Sequence, residues 1–457
     1  MADPALALAA QYANKYLASL DTTPVGAVAD AGTLRSRLLK DLADDPLPAE
    51  QVVEELLADV EGGIIGCAGG RFYAWVVGGA LPAALAADWL TSTWDQNAGI
   101  HASGPAAALV EEAAGGWLKE VLNIPATASF AFVTGCQMAH ATCLAAARYK
   151  LLRARGWDVE VKGLAGSPPI RILTGSERHG SFMRAVRLLG LGTASVIDLP
   201  VDSDGALEPA TLAHELGRHA TAPTIVLLQA GDLNRGAYDP FSELIPIAKE
   251  FDAWVHVDGA FGLWAAASPR LRHFMHGCEL ADSWATDGHK WLNVPYDCGY
   301  AFVNDRAAHH ASMSHRESYL IHDGAARDQI DWNPEWSRRA RGFSTYAALR
   351  QLGRRGVAEL VERCCDHART LVLGIGSLPG AEIVATPQIN QGLLRFGNDD
   401  AYTDSVIAKV VASGEAYFGG AAWHGKRCMR VSVCNWRTTQ ADVDRVIEAF
   451  RKVLSTA

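Results

Sequence analysis

The pattern that most constrains this chain runs from about residue 128 to residue 305, where short apolar runs alternate with segments long enough to form a helix. The apolar runs read ASFAFVTG, IRILTG, ASVIDLP, TIVLLQAG, AWVHVDGA and CGYAFVND. Strands separated by helices form βαβ units, whose sheets are mostly parallel and covered by helices on both faces. The alternation therefore predicts an α/β domain, with ligands bound beyond the carboxyl ends of its strands.

The segments on either side of this region follow different patterns. The first 60 residues are rich in Ala and Leu at helical spacing, and PLPAE marks a break before a helix at EQVVEELLADV. After residue 335, a long Arg- and Leu-rich helix precedes the strand patterns AEIVATP, GLLRFG and CMRVSVCNW. We predict an N-terminal helical arm (1–60), a large domain (61–335) and a smaller α+β C-terminal domain (336–457).

Composition excludes several classes of function. The 457 residues carry a formal net charge of −10, which argues against a basic nucleic-acid-binding surface. No run of about 18 apolar residues is present, and Asp3 lies where a signal peptide carries basic charge. The nine cysteines form no C-x-x-C pair, which favours reduced thiols over disulfides or a zinc site. We expect a soluble cytoplasmic protein that binds no membrane, no nucleic acid and no metal.

The stretch TDGHKWLN places Lys290 in a part of the chain that otherwise resembles buried sheet. A buried ammonium must be paired, exposed or neutral. Asp258 lies 32 residues earlier, at the end of the apolar run in AWVHVDGA. A lone acid in that place commonly caps a turn, but a lysine and an aspartate at neighbouring strand ends also fit a pyridoxal phosphate (PLP) site. The N–H groups of Thr134–Gln137 could then hold the phosphate, and His179 could stack on the ring.

A set of motifs in this order resembles the PLP-dependent group II amino-acid decarboxylases, the family of the aromatic-L-amino-acid, histidine and glutamate decarboxylases. FVTGCQMAHATCLAAAR stands where that family has a Gly-Gly-Ser-Glu-Ala-Asn type loop. The other matching segments, in chain order, are RFYAWVVGGALPAALAADWL, ERHGSFMRAVRLLGLG, GDLNRGAYDP, HVDGAFG, GHKW and MRVSVCNWRTT. The resemblance extends from about residue 60 to the C-terminus.

The resemblance implies the aspartate-aminotransferase fold, which is fold type I of the PLP-dependent enzymes, with a seven-stranded mostly parallel sheet in the large domain. It implies that Lys290 is the Schiff-base lysine, that Asp258 pairs with the pyridine nitrogen and that His179 stacks on the ring. It also implies a homodimer with the active site at the subunit interface.

Further site residues follow from the same resemblance. Gly135, Cys136, Gln137 and His289 would surround the phosphate. Asn234 would bond to the ring hydroxyl or to Asp258. Ser344 or Thr345 would reach the phosphate from a partner subunit, although an ordinary helix N-cap is an equal alternative for these two.

Three departures from the family pattern affect the expected chemistry. Gln137 would have to replace a hydroxyl donor in the phosphate loop, and Asp232 and Leu233 replace a threonine pair. Gln329 stands where the family carries a mobile-loop tyrosine thought to protonate the carbon that loses CO₂. An amide is no useful acid at neutral pH; Tyr319 could substitute, although a packing role is the simpler interpretation.

The same residues support several reactions, so the cofactor is better determined than the bond that breaks. Decarboxylation of an L-amino acid is the first expectation. Because the tyrosine is missing, decarboxylation with oxidative deamination to an aldehyde is the second expectation. Aldol-type cleavage or transamination is the third. A non-catalytic PLP-binding protein is disfavoured because no structural role requires the lysine.

The identity of the substrate rests on a few side chains. Phe72, Tyr73 and Trp75 lie in the segment resembling the substrate entrance, with Trp94 as a further candidate, and these rings favour an aromatic or bulky apolar amino acid. Core packing is the alternative for these rings. Arg71 or Arg430 could instead hold a carboxylate, which would favour an acidic substrate.

Overall fold

The computed structural model describes residues 3–315 and 327–455 of the chain, and it begins with a group of helices. Those before the first strand are α1 (Pro4–Ser19), α2 (Ala31–Leu38), α3 (Ala49–Asp59), α4 (Pro82–Trp94) and α5 (Pro105–Val121). Asp3 caps α1, because its carboxylate accepts hydrogen bonds from the backbone N–H groups of Ala5 and Leu6. The first three helices contain no buried residue, so they contribute little to the core of this chain.

The central sheet has seven strands. They are β1 (Ser129–Val133), β2 (Arg171–Gly175), β3 (Val196–Leu199), β4 (Thr224–Gln229), β5 (Trp254–Asp258), β6 (Ser283–Asp287) and β7 (Gly299–Val303). Their order across the sheet is β1-β7-β6-β5-β4-β2-β3, and β7 alone runs antiparallel to its neighbours. The predicted α/β class and the seven-stranded mostly parallel sheet are therefore confirmed.

Helices cover both faces of this sheet. Those between or after its strands are α6 (Cys136–Arg153), α7 (Val159–Lys162), α8 (Gly180–Leu188), α9 (Pro209–Gly217), α10 (Phe241–Glu250) and α11 (Arg306–Met313). Strand β4 shows the consequence: Ile225 and Leu227 belong to one buried cluster, whereas Val226 and Leu228 belong to the other. Both faces of the strand need apolar side chains, and this explains the continuous apolar run in the sequence.

A smaller unit follows the gap in the described residues. It contains α12 (Gly342–Gly376), β8 (Ala381–Ala385), β9 (Gln391–Phe396), α13 (Asp400–Ala412), β10 (Gly419–Trp423), β11 (Lys426–Ser432) and α14 (Gln440–Ser455). The four strands form an antiparallel sheet in the order β10-β11-β9-β8. Helix α12 is interrupted at Gly353, whose φ of 60° is non-helical. This α+β arrangement is the one expected after residue 335, while the boundaries at 60 and 335 remain predictions.

Two strands were absent from the sequence prediction, β6 and β10. Strand β6 reads SWATD and is completely buried despite three polar residues, and β10 reads GGAAW at the edge of the small sheet. Neither has the run of large apolar residues that marks the other strands. Among the helices of the described residues, none combines the length and apolarity needed to span a membrane.

Candidate active site

The site lies at one edge of the central sheet, where the parallel strands end. Asp258 is the last residue of β5 and Asp287 is the last residue of the neighbouring β6. The helix α6 begins directly after β1, which runs in the same direction as β6 because β7 lies antiparallel between them. Lys290 follows β6 by three residues, so the sheet brings the lysine, two acids and a helix N-terminus to the same edge.

Lys290 is paired with Asp287, with 3.0 Å between Nζ and Oδ2. Its side chain is 18% exposed, and Nζ lies 6.0 Å from the centre of the Phe261 ring. Burial lowers the pKa of the Lys290 amine, but the carboxylates of Asp287 and Asp258 outweigh burial and the net pKa is raised. In this structure Lys290 is therefore a protonated amine held by an acid.

Asp287 lies among the groups that were predicted to hold a phosphate. Its Oδ1 accepts a hydrogen bond of 2.6 Å from the backbone N–H of Cys136, the first residue of α6, and lies 3.5 Å from His289 Nε2. His289 Nδ1 accepts from the N–H of Cys298, so the hydrogen of the neutral ring is on Nε2 and faces Asp287. These contacts form an anion site from a helix N-terminus, an imidazole N–H and an ammonium. In this structure the carboxylate of Asp287 occupies it.

Glycines allow the close approach of these elements. A Cβ on Gly299 of β7 would lie 2.6 Å from the backbone of Gly135, and a Cβ on Gly135 would lie 3.2 Å from the His289 ring. Any side chain at Gly299 would push the start of α6 away from the sheet. Gly135 and Cys136 thus occupy the position predicted from the sequence, with Gln137 next to them and half-buried at the start of α6.

Asp258 is 6% exposed and lies beside Cys136 and His140 of α6. Its Oδ1 accepts a 3.1 Å bond from the Ala260 N–H and lies 3.9 Å from Cys136 Sγ, while Oδ2 lies 3.5 Å from His140 Nε2. Burial raises the pKa of Asp258, but His140, the Ala260 N–H and Lys290 together hold it well below its usual range. Asp258 is therefore a buried anion, which is the state needed to pair with a protonated ring nitrogen.

His179 caps helix α8 and keeps its ring at the surface of the site. The N–H of Ser181 donates to His179 Nδ1 at 3.2 Å, and the Ser181 hydroxyl lies 2.8 Å from the same atom. Burial lowers the pKa of His179, with the charge of Asp258 opposing this and that of Lys290 adding to it. A neutral ring fixed at its edge leaves its face free to contact a planar ligand.

Asn234 presents a buried amide oxygen to the same edge. The residue is 5% exposed, and its Oδ1 has no hydrogen-bond partner among residues 3–315 and 327–455. The neighbouring Asp232 is structural: its carboxylate accepts from the backbone N–H groups of Asn234, Arg235 and Ala237 and so closes the loop after β4. An unpaired buried acceptor such as Asn234 Oδ1 is costly and points to a donor supplied by a ligand.

Thr345 and Ser344 do not lie where the dimer hypothesis needs them. Thr345 is fully buried, and its Oγ1 lies 2.8 Å from the Tyr300 hydroxyl and 3.5 Å from Cys298 Sγ of the same chain. Ser344 is also buried, with its Oγ 3.4 Å from Asp88 Oδ1. A hydroxyl enclosed in its own subunit cannot extend to a partner, so this placement argues against the predicted role at the phosphate.

Gln329 lies in a short 3₁₀ turn and is completely buried. Its Nε2 lies 3.3 Å from the Ala108 carbonyl of α5. The expectation that Gln329 occupies a mobile loop at the site is therefore wrong for this structure, since the residue is packed against a helix. Tyr319, the alternative proton donor, lies outside the described residues.

The segment predicted to line the substrate entrance contacts the lysine loop directly. A Cβ on Gly78 would lie 1.8 Å from the Lys290 carbonyl oxygen, and the Leu81 N–H donates to the Asn293 carbonyl at 2.8 Å. In the same segment Trp75 is 52% exposed, whereas Phe72 is 3% exposed and stacks on a neighbouring tyrosine. Trp75 is thus available to a ligand, while Phe72 is packed in a small apolar cluster.

The two arginines considered for carboxylate binding have different environments. Arg71 is 2% exposed and donates to five backbone carbonyls, those of Leu20, Asp21, Thr23, Gly414 and Glu415. It is therefore structural, and the suggestion that it binds substrate is wrong. No side-chain hydrogen bond or ion pair to Arg430 is formed within the described part of the chain, and burial lowers its pKa while Asp232 raises it.

The residues at this edge fit the cofactor that the sequence implies. PLP needs a lysine amine, an anion at its ring nitrogen, donors for a phosphate and an acceptor for its ring hydroxyl. These four groups are provided, in turn, by Lys290, by Asp258, by the start of α6 with His289, and by the unpaired Asn234 Oδ1. The feature that does not favour a phosphate is Asp287, whose carboxylate must release the Cys136 N–H.

Sequence reasoning did not single out Asp287, His140 or His256. Asp287 is separated from its partner Cys136 by 151 residues, and the His140–His256 contact of 2.8 Å joins residues 116 apart. The available signals were an acid three residues before the lysine and a histidine in the GCQMAH stretch. Each is common alone, so only the folded arrangement identifies them.

Comparison with known proteins gives matches in both sequence and fold. The family model for the pyridoxal-dependent decarboxylase conserved domain matches residues 32–397. Tryptophan decarboxylase 1 of Oryza sativa subsp. japonica is 29% identical over 78% of this chain and 71% of its own length. Phenylacetaldehyde synthase of Petunia hybrida is 26% identical over 74% of this chain and 68% of its own length. A crystal structure of Oryza sativa TDC with PLP and tryptamine has a TM-score of 0.92 at 24% identity, covering 99% of this chain and 97% of that one.

Proposed function

As a member of the pyridoxal-dependent decarboxylase family, this chain is a PLP-dependent amino-acid decarboxylase, and we propose that it removes the carboxyl group of an aromatic or bulky apolar L-amino acid at a site built on Lys290. The observation that carries the location is the meeting of Lys290 with two buried acids and the start of α6 at one sheet edge. A lysine has no structural need for that position, because the same edge could be closed by apolar residues.

The roles of the residues follow from their contacts. Lys290 Nζ would hold PLP through a covalent bond to its aldehyde carbon, formed with loss of water, once it has given up the proton that Asp287 stabilises. Asp258 holds a proton at the ring nitrogen because it is a buried anion. His179 would contact the ring face, and Asn234 Oδ1 would accept a hydrogen bond from the ring hydroxyl. When bound, PLP supplies an electron-accepting ring that takes up the electron pair left by the departing carboxylate.

The proton that replaces CO₂ must come from an acid at the site. The amide of Gln329 carries no acidic proton, and the side chain is packed against α5. Lys290 Nζ is such an acid once the substrate amine has displaced it, since its pKa is raised in this environment. We therefore assign the return of the proton to Lys290.

The preference for an aromatic substrate rests on Trp75. This ring is half-exposed on the segment whose Gly78 touches the lysine loop, and the tryptophan decarboxylase of rice is among the similar proteins. Arg430 is the feature that would favour an acidic substrate instead. A panel of L-amino acids decides between them: the ratio of kcat/KM for tryptophan to that for glutamate should exceed one, fall in Trp75→Ala and rise in Arg430→Met. A ratio below one would overturn the aromatic proposal.

The first experiment is an absorbance spectrum of the purified protein with added PLP, compared with that of Lys290→Ala. The native protein should show the visible band of a cofactor bonded to lysine, and the variant should lack it while still folding. CO₂ and the matching amine should be released in equal amounts from the preferred amino acid. Absence of the band in the native protein would overturn the assignment of the site.

A second outcome is decarboxylation with oxidative deamination to an aldehyde, and one of the similar proteins supports it. The name of the petunia relative states an aldehyde product. In that reaction the amino acid, O₂ and H₂O give the aldehyde, CO₂, NH₃ and H₂O₂, so that two electrons pass from the substrate to oxygen. Assays for H₂O₂ and aldehyde, run in air and under nitrogen, distinguish it from simple decarboxylation, which needs no oxygen.

We also propose a cytoplasmic homodimer whose active site lies at the subunit interface. Helix α4 exposes Trp89, Leu90 and Trp94, and Leu109 of α5 is 53% exposed. Exposed apolar surface of this extent commonly marks an interface. All nine cysteines are free thiols, which supports a reducing compartment.

A further inference from the structure

Behind Asp258 a row of buried side chains runs into the core of the large domain. His140 Nε2 lies 3.5 Å from Asp258 Oδ2, and His140 Nδ1 lies 2.8 Å from His256 Nε2. His256 Nδ1 lies 2.9 Å from Ser283 Oγ, which also accepts a hydrogen bond of 2.9 Å from Trp254 Nε1. Both histidines are fully buried. The row therefore connects the acid at the site to α6, β5 and β6 without a break.

The hydrogen atoms of this row can be assigned from its ends. Trp254 can only donate to Ser283, so the serine hydroxyl is free to donate to His256 Nδ1. Burial lowers the pKa of His256 to about 3, so this ring is neutral and carries its single hydrogen on Nε2, where it donates to His140 Nδ1. The hydrogen of His140 is then on Nε2, facing Asp258.

The reverse assignment leads to the same end. If His256 donates from Nδ1 to Ser283, its Nε2 must accept from His140 Nδ1. A neutral His140 would then turn a bare nitrogen toward the Asp258 carboxylate, which is repulsive, so His140 would carry a second hydrogen on Nε2. Both favourable arrangements place an N–H of His140 toward the acid.

We propose that His140, held by His256 and Ser283, is a positioning residue that keeps Asp258 ionised and directed at the cofactor's ring nitrogen. The proposal rests on the proposed function, in which Asp258 meets that nitrogen. His140 stands at the sixth position of GCQMAH, where the resembling loop has asparagine, and a shorter amide could not contact both His256 and Asp258. The row is thus a feature of this chain's own residues.

The absence of other donors makes His140 important to Asp258. Within the described residues, the hydrogen bonds that reach this carboxylate come from the Ala260 N–H and, weakly, from Cys136 Sγ, and both go to Oδ1. His140 is the partner near Oδ2. Without it, a buried carboxylate would keep one well-placed donor, and its anionic form would be disfavoured.

The test compares two ligands on the cofactor-free full-length protein. One is PLP, and the other is its carbocyclic analogue, in which CH replaces the ring nitrogen. Their dissociation constants are measured by absorbance titration for the native protein, for His140→Phe and for His140→Gln. Phenylalanine keeps the ring volume but lacks the donor, whereas the glutamine amide can restore one N–H toward Asp258. Thermal melts of each apo-protein establish that the variants fold.

The native protein should bind PLP more tightly than the analogue. In His140→Phe the affinity for PLP should fall about tenfold or more, as for loss of a donor to a charged group, while the affinity for the analogue stays the same. His140→Gln should recover most of the difference. Equal losses for both ligands, or none for either, would overturn the role of His140, because a merely structural defect does not depend on the ring nitrogen.

Failure of the proposed function gives a different result. A native protein that binds both ligands equally, or neither, contradicts the placement of Asp258 at the ring nitrogen and overturns the role of His140 with it. If His140→Phe does not fold, Ser283→Ala removes one buried oxygen at the far end of the row and takes its place. This variant should bind PLP about two- to threefold more weakly, in line with loss of one neutral hydrogen bond, and should bind the analogue as tightly as the native protein does. Equal changes in affinity for both ligands would overturn the proposal.

Discussion

At the scale of single residues, the site contains two buried carboxylates with different partners. Asp258 has the Ala260 N–H, Cys136 Sγ and, at 3.5 Å, His140 Nε2 as partners, whereas Asp287 contacts the ammonium of Lys290 at 3.0 Å. Asp258 could be predicted from the sequence because it ends a recognisable strand, and Lys290 because it lies in the GHKW motif. Asp287 could not, since the strand that it ends has no apolar run.

The Asp287–Lys290 pair leads to a prediction about cofactor loading. In Asp287→Asn the pKa of Lys290 should fall, because the carboxylate that raises it is absent. More of the amine is then neutral at a given pH, and the phosphate meets no competing acid at the Cys136 N–H. The covalent bond to PLP should therefore form fastest at lower pH than in the native protein, and PLP should bind several-fold more tightly.

Stopped-flow absorbance over a series of pH values measures this change. Asp287→Glu is the control, since it keeps the charge beside Lys290 and should keep the native pH dependence more closely. An unaltered pH profile in Asp287→Asn would show that the pair does not control the reactivity of the lysine.

At the scale of secondary structure, the sequence predicted those elements whose apolar pattern is strong. Six strands of the central sheet were recognised by their apolar runs, and in strands such as β4 both faces are covered by helices. Strand β6 was missed because Ser283, Thr286 and Asp287 obtain their partners from distant elements. Strand β10 was missed because Gly and Ala give little β-propensity, and its pairing with β11 determines its structure.

The contact between the entrance segment and the lysine loop predicts a sensitive glycine. In Gly78→Ala the new Cβ would lie 1.8 Å from the Lys290 carbonyl oxygen, so the loop must move. A displacement of about 1 Å at a reacting group can cost on the order of 100-fold in rate. We expect kcat to fall at least tenfold in steady-state assays.

Gly116→Ala in helix α5 is the matched control, because no atom lies within 4 Å of its Cβ position. It should leave kcat unchanged and stabilise the helix by roughly 0.5–1 kcal/mol. Equal activities of the two variants would show that the lysine loop tolerates the displacement.

His309 ties helix α11 to strand β1 and makes stability depend on pH. Its Nδ1 lies 2.8 Å from Ser129 Oγ, its Nε2 lies 2.8 Å from the Trp332 carbonyl, and burial lowers its pKa to about 3. Below the ordinary histidine pKa of 6.5, His309 is protonated in the unfolded chain but stays neutral in the folded chain. The free energy of unfolding is therefore highest above pH 6.5 and decreases as the pH falls toward the folded pKa. The expected contribution between about pH 7 and pH 5 is roughly 2 kcal/mol.

Thermal melts over this pH range test the assignment to His309. His309→Gln keeps a donor and an acceptor but does not titrate, so its melting temperature should depend less steeply on pH than that of the native protein. His256 remains in both proteins and leaves a residual slope. Parallel slopes would exclude His309 as a source of the dependence.

At the scale of the whole molecule, the α/β class and the seven-stranded mostly parallel sheet were predicted better than the surroundings of the site. The sheet edge follows from the direction of the strands, but which loops meet there depends on packing. Thr345 illustrates the limit: the resemblance implied a contact with a partner subunit, with a helix N-cap as an equal alternative. Its burial beside Tyr300 opposes the partner contact.

The exposed aromatic surface of α4 gives a prediction about assembly. Trp89 is 42% exposed, and in a dimer buried through this surface Trp89→Glu would place a charge in an apolar interface. We expect the mass measured by light scattering to fall from that of a dimer to that of a monomer, with loss of activity. Val161→Glu, at a site that is 81% exposed on α7, should change neither. A dimeric Trp89→Glu would place the interface elsewhere.

The contact between Asp287 and Lys290 also determines how the chain can exist before it meets its coenzyme. A buried ammonium without a counter-ion would either destabilise the empty protein or lose its proton. Because Asp287 lies three residues away, the ammonium of Lys290 has a counter-ion as soon as the chain folds. Loading then becomes an exchange of one anion for another in a finished protein, so newly made chains can accumulate during vitamin B6 shortage and become active when the vitamin returns.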